Sequence, residues 1–432
     1  MVDWSKLPDL VAVALLACAF ASVAHSGHTR ASVLWLTGWI MIAFHFAAFM
    51  FLSAPGIWGA LATFLGLASL ACAGLLFKWA AVPFRTEYTS RWVFASLLGT
   101  IVLYIGILTL TSAPQWALTF AAILLGVLPA AIALITLRSF SHPLRWVTVA
   151  LSAALSVFLL AFQNKPGDGA SLALNGIMFT VFFGCCINFF ATHRRATSGA
   201  LVTISGFLAW AAVFVVAPSM SVFFPDVHLE SEVWNLPKYV VAVGMILLLL
   251  EDQIEYNKFL ALHDELTGLP NRRLFQDRLA IALERARRSG AETALLLVDL
   301  DHFKQVNDRL GHHVGDLLLK HVASLLAGRV RRSDTVARTG GDEFSLILEE
   351  PTSRAEASHV ADSLMQMLNE PATLGEHRVR VGASVGIAVF PEDAADTEAL
   401  CIAADLRMYA DKHPPGSSEE NPRPASQFHS PW

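Results

Sequence analysis

Long stretches without charge, repeated along the first 250 residues, constrain the fold of this chain most strongly. Eight of them approach the roughly 20 apolar residues that a helix needs to cross a bilayer. They are Leu10–Ala24, Val33–Leu52, Ile57–Phe77, Trp92–Leu110, Trp116–Leu137, Trp146–Phe162, Leu172–Phe190 and Ala200–Val216. A ninth, Leu236–Leu250, contains Lys238 and spans only if that side chain reaches the headgroup region. The pattern predicts a multi-span α-helical membrane domain over residues 1–250, with about nine transmembrane helices.

The distribution of charge separates this region from the rest of the chain. Residues 1–250 hold 11 Lys and Arg against 7 Asp and Glu, whereas residues 251–432 hold 20 against 29. The formal charge is therefore +4 in the first part and −9 in the second. This asymmetry predicts a membrane part followed by a soluble part.

Basic residues between the apolar stretches predict the orientation, because Lys and Arg accumulate on the cytoplasmic side of short connections. If residue 251 onward is cytoplasmic, the inward connections carry Arg30, Lys78, Arg85, Arg91, Arg138, Arg145, Arg194 and Arg195. The outward segments carry only Lys6, Lys165 and Lys238. We therefore expect a multi-pass protein of a bacterial inner membrane, with a periplasmic N-terminus, a cytoplasmic C-terminal domain and no cleavable signal peptide.

Polar residues within the apolar stretches are candidates for function. They include His45, Asn175 and Asn188. A histidine satisfied by a neighbouring helix is nevertheless more common than a metal or haem ligand. The five cysteines lack the spacing of a disulfide framework or a metal site, so we expect them to be small apolar residues. A transporter is disfavoured, because the spans show no ion-pair pathway at their midpoints.

Residues 251–263 connect the last apolar stretch to the soluble part. No Gly or Pro occurs until Gly268, which predicts a continuous helix to about His263. Such a stalk either transmits movement within a parallel homodimer or only spaces the two parts, and the sequence leaves both open. The tail at residues 414–432 is rich in Pro, Ser and charge, and we expect it to be disordered.

Residues 264–413 alternate between helical and strand patterns. The predicted helices are Arg272–Arg288, Gly315–Val330, Ala355–Leu368 and Glu398–Asp411. The predicted strands are Thr293–Asp301, Thr335–Thr339, Glu343–Leu348 and His377–Phe390, the last with the turn residues Gly382 and Gly386 inside it. This order predicts an α/β sandwich whose central sheet is mostly antiparallel and includes a hairpin.

Acidic residues cluster at the ends of two predicted strands. Asp299 and Asp301 close a buried strand and lie on one face of it, since strand side chains alternate. Asp301 is a candidate N-cap for a short helix starting near His302. If the strand neighbours the hairpin, Asp299, Asp342 and Glu343 converge.

The hairpin itself contains two adjacent glycines, Gly340 and Gly341. Three carboxylates and the carbonyl of Leu300 would supply hard oxygen ligands for Mg²⁺, with phosphates completing the shell. The absence of Cβ would allow a tight turn and the approach of a nucleotide. The alternative is a Gly-Gly hairpin with solvated acids.

Four motifs then carry a family resemblance. They are DELTGLPNRR (264–273), VDLDHFKQVNDRLGHHVGD (298–316), ARTGGDEF (337–344) and ADLRMYADK (404–412). In this order and spacing they resemble the GGDEF domain of bacterial diguanylate cyclases, over about residues 255–413. Residues 1–250 resemble no family that we can name, and we expect them to be sensory.

The resemblance implies a nucleotidyl-cyclase-like fold and the condensation of two GTP molecules into cyclic di-GMP with release of two pyrophosphates. Each subunit of a homodimer would bind one GTP, and each 3′-hydroxyl would attack the opposite α-phosphate. The implied cofactor is Mg²⁺, with Mn²⁺ as an alternative, at two ions in each half-site. The expected partners are GTP, cyclic di-GMP, a second subunit and the lipid bilayer, without nucleic acid.

The resemblance also assigns roles to individual residues. Asp299, the Leu300 carbonyl and Asp342 correspond to metal ligands, and Glu343 to a further ligand or to the group that receives the hydroxyl proton. Asp342 and Glu343 are therefore the catalytic candidates, and which acid is the base stays open. The substrate-binding positions are Asn307 and Asp316 for guanine, Lys304 and Lys412 for the triphosphate, and Gly340 and Gly341 in the turn. Arg331 and Asp334 form the RxxD pattern of an inhibitory product site.

The chain departs from the family pattern in two places. Thr339 replaces a larger residue before the glycines, and the sequence after Lys412 lacks the usual Gly-Arg-Asn, so one phosphate-binding arginine is missing. The leading hypothesis is an active diguanylate cyclase regulated by its membrane region and by product. The alternative is a catalytically inactive GGDEF domain that acts as a GTP or cyclic di-GMP receptor. We expect no phosphodiesterase half, because none follows residue 413.

Overall fold

The computed structural model describes residues 2–25, 30–81, 87–111, 114–136, 142–193, 197–227, 231–350 and 353–413. The predicted disordered tail at 414–432 lies outside these residues, as do Arg85, Arg138, Arg194 and Arg195 of the orientation argument. The chain divides into two compact units, Met1–Ile254 and Glu255–Trp432.

The first unit is helical. Its helices are α1 Leu7–His25, α2 Arg30–Phe49, α3 Ile57–Ala81, α4 Glu87–Leu110, α5 Gln115–Thr136, α6 His142–Phe162, α7 Gly169–Thr192, α8 Ser198–Phe223 and α9 Ser231–Leu262. Over the described ranges, nine helices are long and apolar enough to cross a membrane. Helix α3 continues past its apolar stretch, so Lys78 lies in its last turn and not in a connection as predicted.

Small residues allow these helices to approach one another closely. A Cβ on Gly38 would stand 2.4 Å from the ring of Phe77, and one on Gly74 would stand 2.3 Å from Val181. Close backbone approach through glycine is a common way of packing membrane helices, since lipid provides no hydrophobic drive between them.

Two polar residues of the apolar stretches are satisfied inside this unit. His45 Nδ1 lies 2.9 Å from the carbonyl oxygen of Gly66 on α3, which confirms that a neighbouring helix satisfies it. Lys238 is 8% exposed, donates to Asn235 Oδ1, and lies 4.6 Å from the ring centroid of Phe46. Neighbouring groups of this unit therefore accommodate the ammonium of Lys238, and its reach to the headgroups stays a prediction.

The second unit is an α/β sandwich. After α9 come α10 Arg272–Ser289, β1 Thr293–Leu300, α11 Phe303–Leu310, α12 His312–Arg329, β2 Thr335–Arg338, β3 Glu343–Glu349, α13 Arg354–Leu368, β4 Ala372–Leu374, β5 His377–Val379, β6 Ala383–Phe390 and α14 Thr397–Lys412. The main sheet has the order β2-β3-β1-β6, and all its pairs are antiparallel. This fold class is the one that the sequence predicts.

Strand β1 lies in the middle of the sheet and is covered on both faces. All eight of its residues are buried, which explains its uninterrupted apolar sequence. One face contributes Leu296 and Val298 to a core with α12 and α13, and the other contributes Leu295 and Leu297 to a core with α10 and α14. The end of β1 is therefore held rigidly between two layers of helices.

The segment from His377 to Phe390 is not one strand, as predicted, but two. Strand β5 ends at Val379 and pairs with β4 in a separate two-stranded sheet, whereas β6 begins at Ala383 and pairs with β1. The carbonyl of Gly382, between them, accepts a hydrogen bond from the backbone of Asp301 at 2.9 Å. The strand pattern continues through this point, and only the tertiary partners change.

Candidate active site

The acidic residues meet where β1 and β3 lie side by side. Asp299 is the register partner of Glu343, and the Leu300 amide donates to the carbonyl oxygen of Asp342 at 3.2 Å. The end of β1 and the turn preceding β3 therefore bring Asp299, Asp342 and Glu343 to one corner of the sheet. Because β1 is packed on both faces, this corner has a fixed backbone.

Negative charge is crowded at this corner. Burial and the neighbouring Asp299 raise the pKa of Asp342 above its ordinary value. Burial also raises the pKa of Glu343, together with the charges of Asp299, Asp342 and Asp405 on α14. Like charges that share a site oppose one another's ionisation, and a bound cation would relieve this repulsion.

Lys412 supplies one positive charge. Its Nζ lies 2.5 Å from Asp299 Oδ1 and bridges the end of α14 to the end of β1. The sequence assigns Lys412 to the triphosphate, and here its partner is the carboxylate. Among the described residues no three His, Cys, Asp or Glu side chains are arranged to hold an ion by themselves. The carboxylate oxygens at this corner, with their excess negative charge, nevertheless suit a divalent cation whose remaining ligands would be phosphate oxygens.

The two glycines of the turn serve different purposes. A Cβ on Gly340 would stand 2.4 Å from Glu343 Oε2, whereas one on Gly341 would meet nothing within 4 Å. Neither residue has the left-handed backbone that only glycine adopts readily. The amides of Thr339 and Gly340 both donate to the Glu343 carbonyl, at 3.0 and 3.3 Å. Gly340 is therefore required by the close approach of the Glu343 side chain.

The sequence interpretation missed the residue that holds this turn. Arg338 donates to both oxygens of Asp264, at 2.9 and 3.1 Å, and its Nη2 donates to the Gly341 carbonyl at 2.6 Å. Burial opposes ionisation of Asp264, but hydrogen bonds from Thr267 and Arg338 hold its pKa below the ordinary value. Asp264 and Arg338 each lie in one of the motifs that carry the family resemblance. Their opposite charges could have indicated an ion pair between the two motifs.

The predicted guanine-reading residues lie on two adjoining helices. A Cβ on Gly315 of α12 would stand only 1.9 Å from Oδ1 of Asn307 on α11. Asn307 therefore packs against the residue that directly precedes Asp316. Asp316 and Lys304 are both exposed, and Lys304 lies one turn before Asn307 on α11.

Asp301 does not cap α11, contrary to one expectation. The N-cap position is His302, in a left-handed conformation and without a side-chain cap. Asp301 instead accepts a hydrogen bond from Ser384 Oγ on β6 at 2.8 Å. Its carboxylate is therefore committed to holding β6 beside the end of β1.

Arg331 and Asp334 form a compact turn before β2. Asp334 accepts from the backbone amides of Arg331, at 2.8 Å, and Glu349, at 3.2 Å. The Arg331 guanidinium is two-thirds exposed and donates to Glu356 on α13 at 2.8 Å. Asp334 thus fixes the turn, and Arg331 presents its charge at the surface.

Comparisons with known proteins find relatives of this chain. Residues 261–417 match the family described as "Diguanylate cyclase, GGDEF domain", and the N-terminal region matches no family. The chain is 33% identical over 289 residues to the bifunctional diguanylate cyclase/cyclic di-GMP phosphodiesterase MucR of Pseudomonas aeruginosa, covering 61% of this chain and 39% of MucR. It is 42% identical over 151 residues to the diguanylate cyclase TpbB of Pseudomonas aeruginosa, covering 35% of each.

A solved structure extends these similarities. It contains only the GGDEF domain of TpbB and is 42% identical, covering 35% of this chain and 88% of that one, with a TM-score of 0.34. The chain spans little more than a third of the length of MucR and TpbB. The family match lies within the second unit, whereas the alignment with MucR covers more residues than that unit contains. The relatives' names apply to longer proteins.

Proposed function

The chain belongs to the GGDEF domain family through residues 261–417, and on that premise we propose that it is a membrane-anchored diguanylate cyclase. It condenses two GTP molecules into cyclic di-GMP and releases two pyrophosphates. The observation that carries this proposal is the register pairing of Asp299 with Glu343 beside Asp342, at a corner whose backbone is fixed by buried strands.

The acidic corner is the proposed metal and catalytic site. Asp299, the Leu300 carbonyl, Asp342 and Glu343 hold the ions, with Mg²⁺ or Mn²⁺ as the metal. When bound, the metal neutralises the phosphates and orients them. Asp342 or Glu343 receives the proton of the 3′-hydroxyl, and burial with neighbouring carboxylates raises the pKa of both above their ordinary values, which favours proton acceptance.

The remaining polar residues position the substrate. Asn307 and Asp316 read guanine, since a carboxylate accepts from both N1–H and the 2-amino group, which adenine does not offer together. Lys304 binds the triphosphate. Lys412 compensates the charge of Asp299. With a metal ion at that carboxylate, the ammonium would be free to pair with the triphosphate. One domain holds one GTP, so turnover requires two domains facing each other in a homodimer.

The membrane unit is the proposed regulatory region. Nine helices of the described residues have the length and composition to cross a bilayer. An inner-membrane location with a periplasmic N-terminus places the catalytic unit on the cytoplasmic side, where GTP is available. Arg331 and Asp334 form the proposed product site, at which cyclic di-GMP inhibits synthesis.

The purified full-length chain, incubated with GTP and Mg²⁺, tests the reaction. We expect cyclic di-GMP and pyrophosphate in a ratio of one to two. Asp342→Ala is expected to abolish product while the unfolding midpoint is retained, and Asp277→Ala on the exposed face of α10 is the matched control. Binding of GTP or cyclic di-GMP without product in the wild type would instead establish the receptor alternative.

A further inference from the structure

The membrane unit contains a cavity that the cyclase reaction does not use. It is bounded by α3, α4, α5, α6 and α7 and encloses about 70 Å³. Most of its wall is apolar, with Leu75, Ile101, Leu155 and Ile177 among the lining residues. An apolar cavity of about 150 Å³ holds benzene, so this space, about half as large, suits a ligand of only a few heavy atoms.

Two hydrogen-bond donors face this cavity on one side. Lys78 of α3 lines it, and its Nζ would lie 3.5 Å from a Cβ on Gly184 of α7. Asn188 also lines it, four residues beyond Gly184 and therefore on the same face of α7. The ammonium and the amide thus reach the cavity from neighbouring positions.

Within the described part of the chain, the Asn188 amide lacks a hydrogen-bond partner and Lys78 lacks a carboxylate partner. Asn188 is 3% exposed, and its Nδ2 has no hydrogen-bond partner there. No described carboxylate pairs with Lys78, whose only nearby titratable neighbour is the Cys185 thiol. A buried donor and an uncompensated cation are costly in an apolar environment, so their placement indicates a ligand.

The hydroxyl groups of the wall already donate hydrogen bonds within their own helices. Thr100, Ser152 and Thr180 donate to backbone carbonyls of their own helices at 2.8–2.9 Å. Pro129 within α5 has no amide to offer the Leu125 carbonyl, and both residues line the cavity. The donors available to a ligand therefore come from Lys78 and Asn188.

We propose that this cavity is a binding site for a short-chain monocarboxylate of about the size of acetate. The carboxylate accepts hydrogen bonds from Lys78 and Asn188, and the single positive charge matches a single negative charge. The methyl group packs against the leucine and isoleucine side chains. The site joins helices of the membrane unit and so is placed to act as its sensor pocket.

Ligand-observed NMR on the full-length chain in detergent micelles tests the site. We expect saturation transfer to the methyl protons of acetate, and at least tenfold weaker binding of acetamide, which has the same shape without the charge. Equal binding of acetate and acetamide would overturn the proposal.

Two cavity variants and one matched control complete the test. Lys78→Met is expected to weaken acetate binding at least tenfold and Asn188→Leu at least threefold, with unchanged elution and unfolding midpoint. Lys165→Met removes the same charge from an exposed loop and is expected to bind like the wild type. If Lys78→Met does not fold, Asn188→Leu decides. Wild-type acetate affinity in the folded variants would refute the site.

Discussion

Arg338 joins Asp264, near the start of the catalytic unit, to the carbonyl of Gly341 in the acidic turn. Both members of the ion pair are largely buried, with side-chain exposures of 12% and 23%. The geometry is that of a bidentate guanidinium–carboxylate pair, which fixes orientation as well as distance. The position of the turn therefore depends on a residue 74 positions earlier in the chain.

Asp264→Asn is expected to loosen this turn. Removing one partner from a largely buried charged pair costs about 1–3 kcal/mol, and we expect faster hydrogen exchange at β2 and β3 with at least a tenfold fall in kcat. Arg285→Gln is the control, because Arg285 pairs with Glu349 while remaining 60% exposed. An equal effect of the two substitutions would show that the Arg338 clamp has no special role.

The pH dependence of this pair follows from the lowered pKa of Asp264. A depressed folded pKa contributes stability that is present above the unfolded value of about 3.9. That contribution is lost as the pH falls through the lower folded value. Asp264 therefore supports the turn at neutral pH.

Asp342 has the opposite linkage, since its folded pKa is raised. Its contribution to stability is present below the unfolded pKa and is lost as the pH rises through the folded one. Asp342→Asn is therefore expected to raise the metal-free thermal midpoint at neutral pH, by about 1–3 °C, while abolishing synthesis. Calorimetry in EDTA measures the shift, and added Mg²⁺ is expected to stabilise the wild type more than the variant. A lower midpoint for Asp342→Asn would contradict the charge crowding.

The two glycines of the turn offer a matched pair of substitutions. Gly340→Ala forces Glu343 to move, because the new Cβ would stand 2.4 Å from its carboxylate, whereas Gly341→Ala has open space around it. We expect Gly340→Ala to weaken Mg²⁺ activation at least tenfold and Gly341→Ala to leave it nearly unchanged. Any defect of Gly341→Ala is expected in the KM for GTP, where the turn approaches the nucleotide.

Much of the catalytic unit could be predicted because its sequence pattern is local. The buried run of β1 and the amphipathic pattern of α10 each indicate an element without help from distant residues. Gly382 is a turn residue at the division between β5 and β6, but the sequence does not show that the two halves have different partners.

The candidate site was predictable to the same degree. Adjacent strands make the meeting of Asp299 with Glu343 an expectation from the pattern. The Arg338 clamp and the contact of Lys412 with Asp299 depend instead on side chains brought together across 74 and 113 residues. Sequence spacing does not reveal such long-range contacts. In the same way, Asp301 accepts a hydrogen bond from the distant residue Ser384 and does not cap α11.

Gly315 tests the assignment of Asn307 to the nucleobase. Gly315→Ala would place a Cβ 1.9 Å from Asn307 Oδ1 and displace that side chain. We expect the kcat/KM for GTP to fall by about tenfold, mainly through KM. Gly328→Ala on the same helix has no neighbour within 4 Å and is expected to stabilise the helix by about 0.5–1 kcal/mol with normal kinetics. An unchanged KM in folded Gly315→Ala would remove Asn307 from the substrate site.

Arg331 and Glu356 provide a test of product inhibition from both sides. Arg331 is exposed and engaged by Glu356 at 2.8 Å, so an incoming cyclic di-GMP competes with that carboxylate for the guanidinium. Arg331→Ala is expected to raise the inhibition constant of cyclic di-GMP by about tenfold, as expected for loss of a charge-assisted contact, with the initial rate unchanged. Glu356→Gln removes the competing charge and is expected to lower the constant severalfold. Initial rates at increasing product measure both constants. Arg331→Ala removes the guanidinium, and Glu356→Gln frees it from its carboxylate partner. If the inhibition constant of cyclic di-GMP is unchanged in both variants, cyclic di-GMP does not inhibit through Arg331.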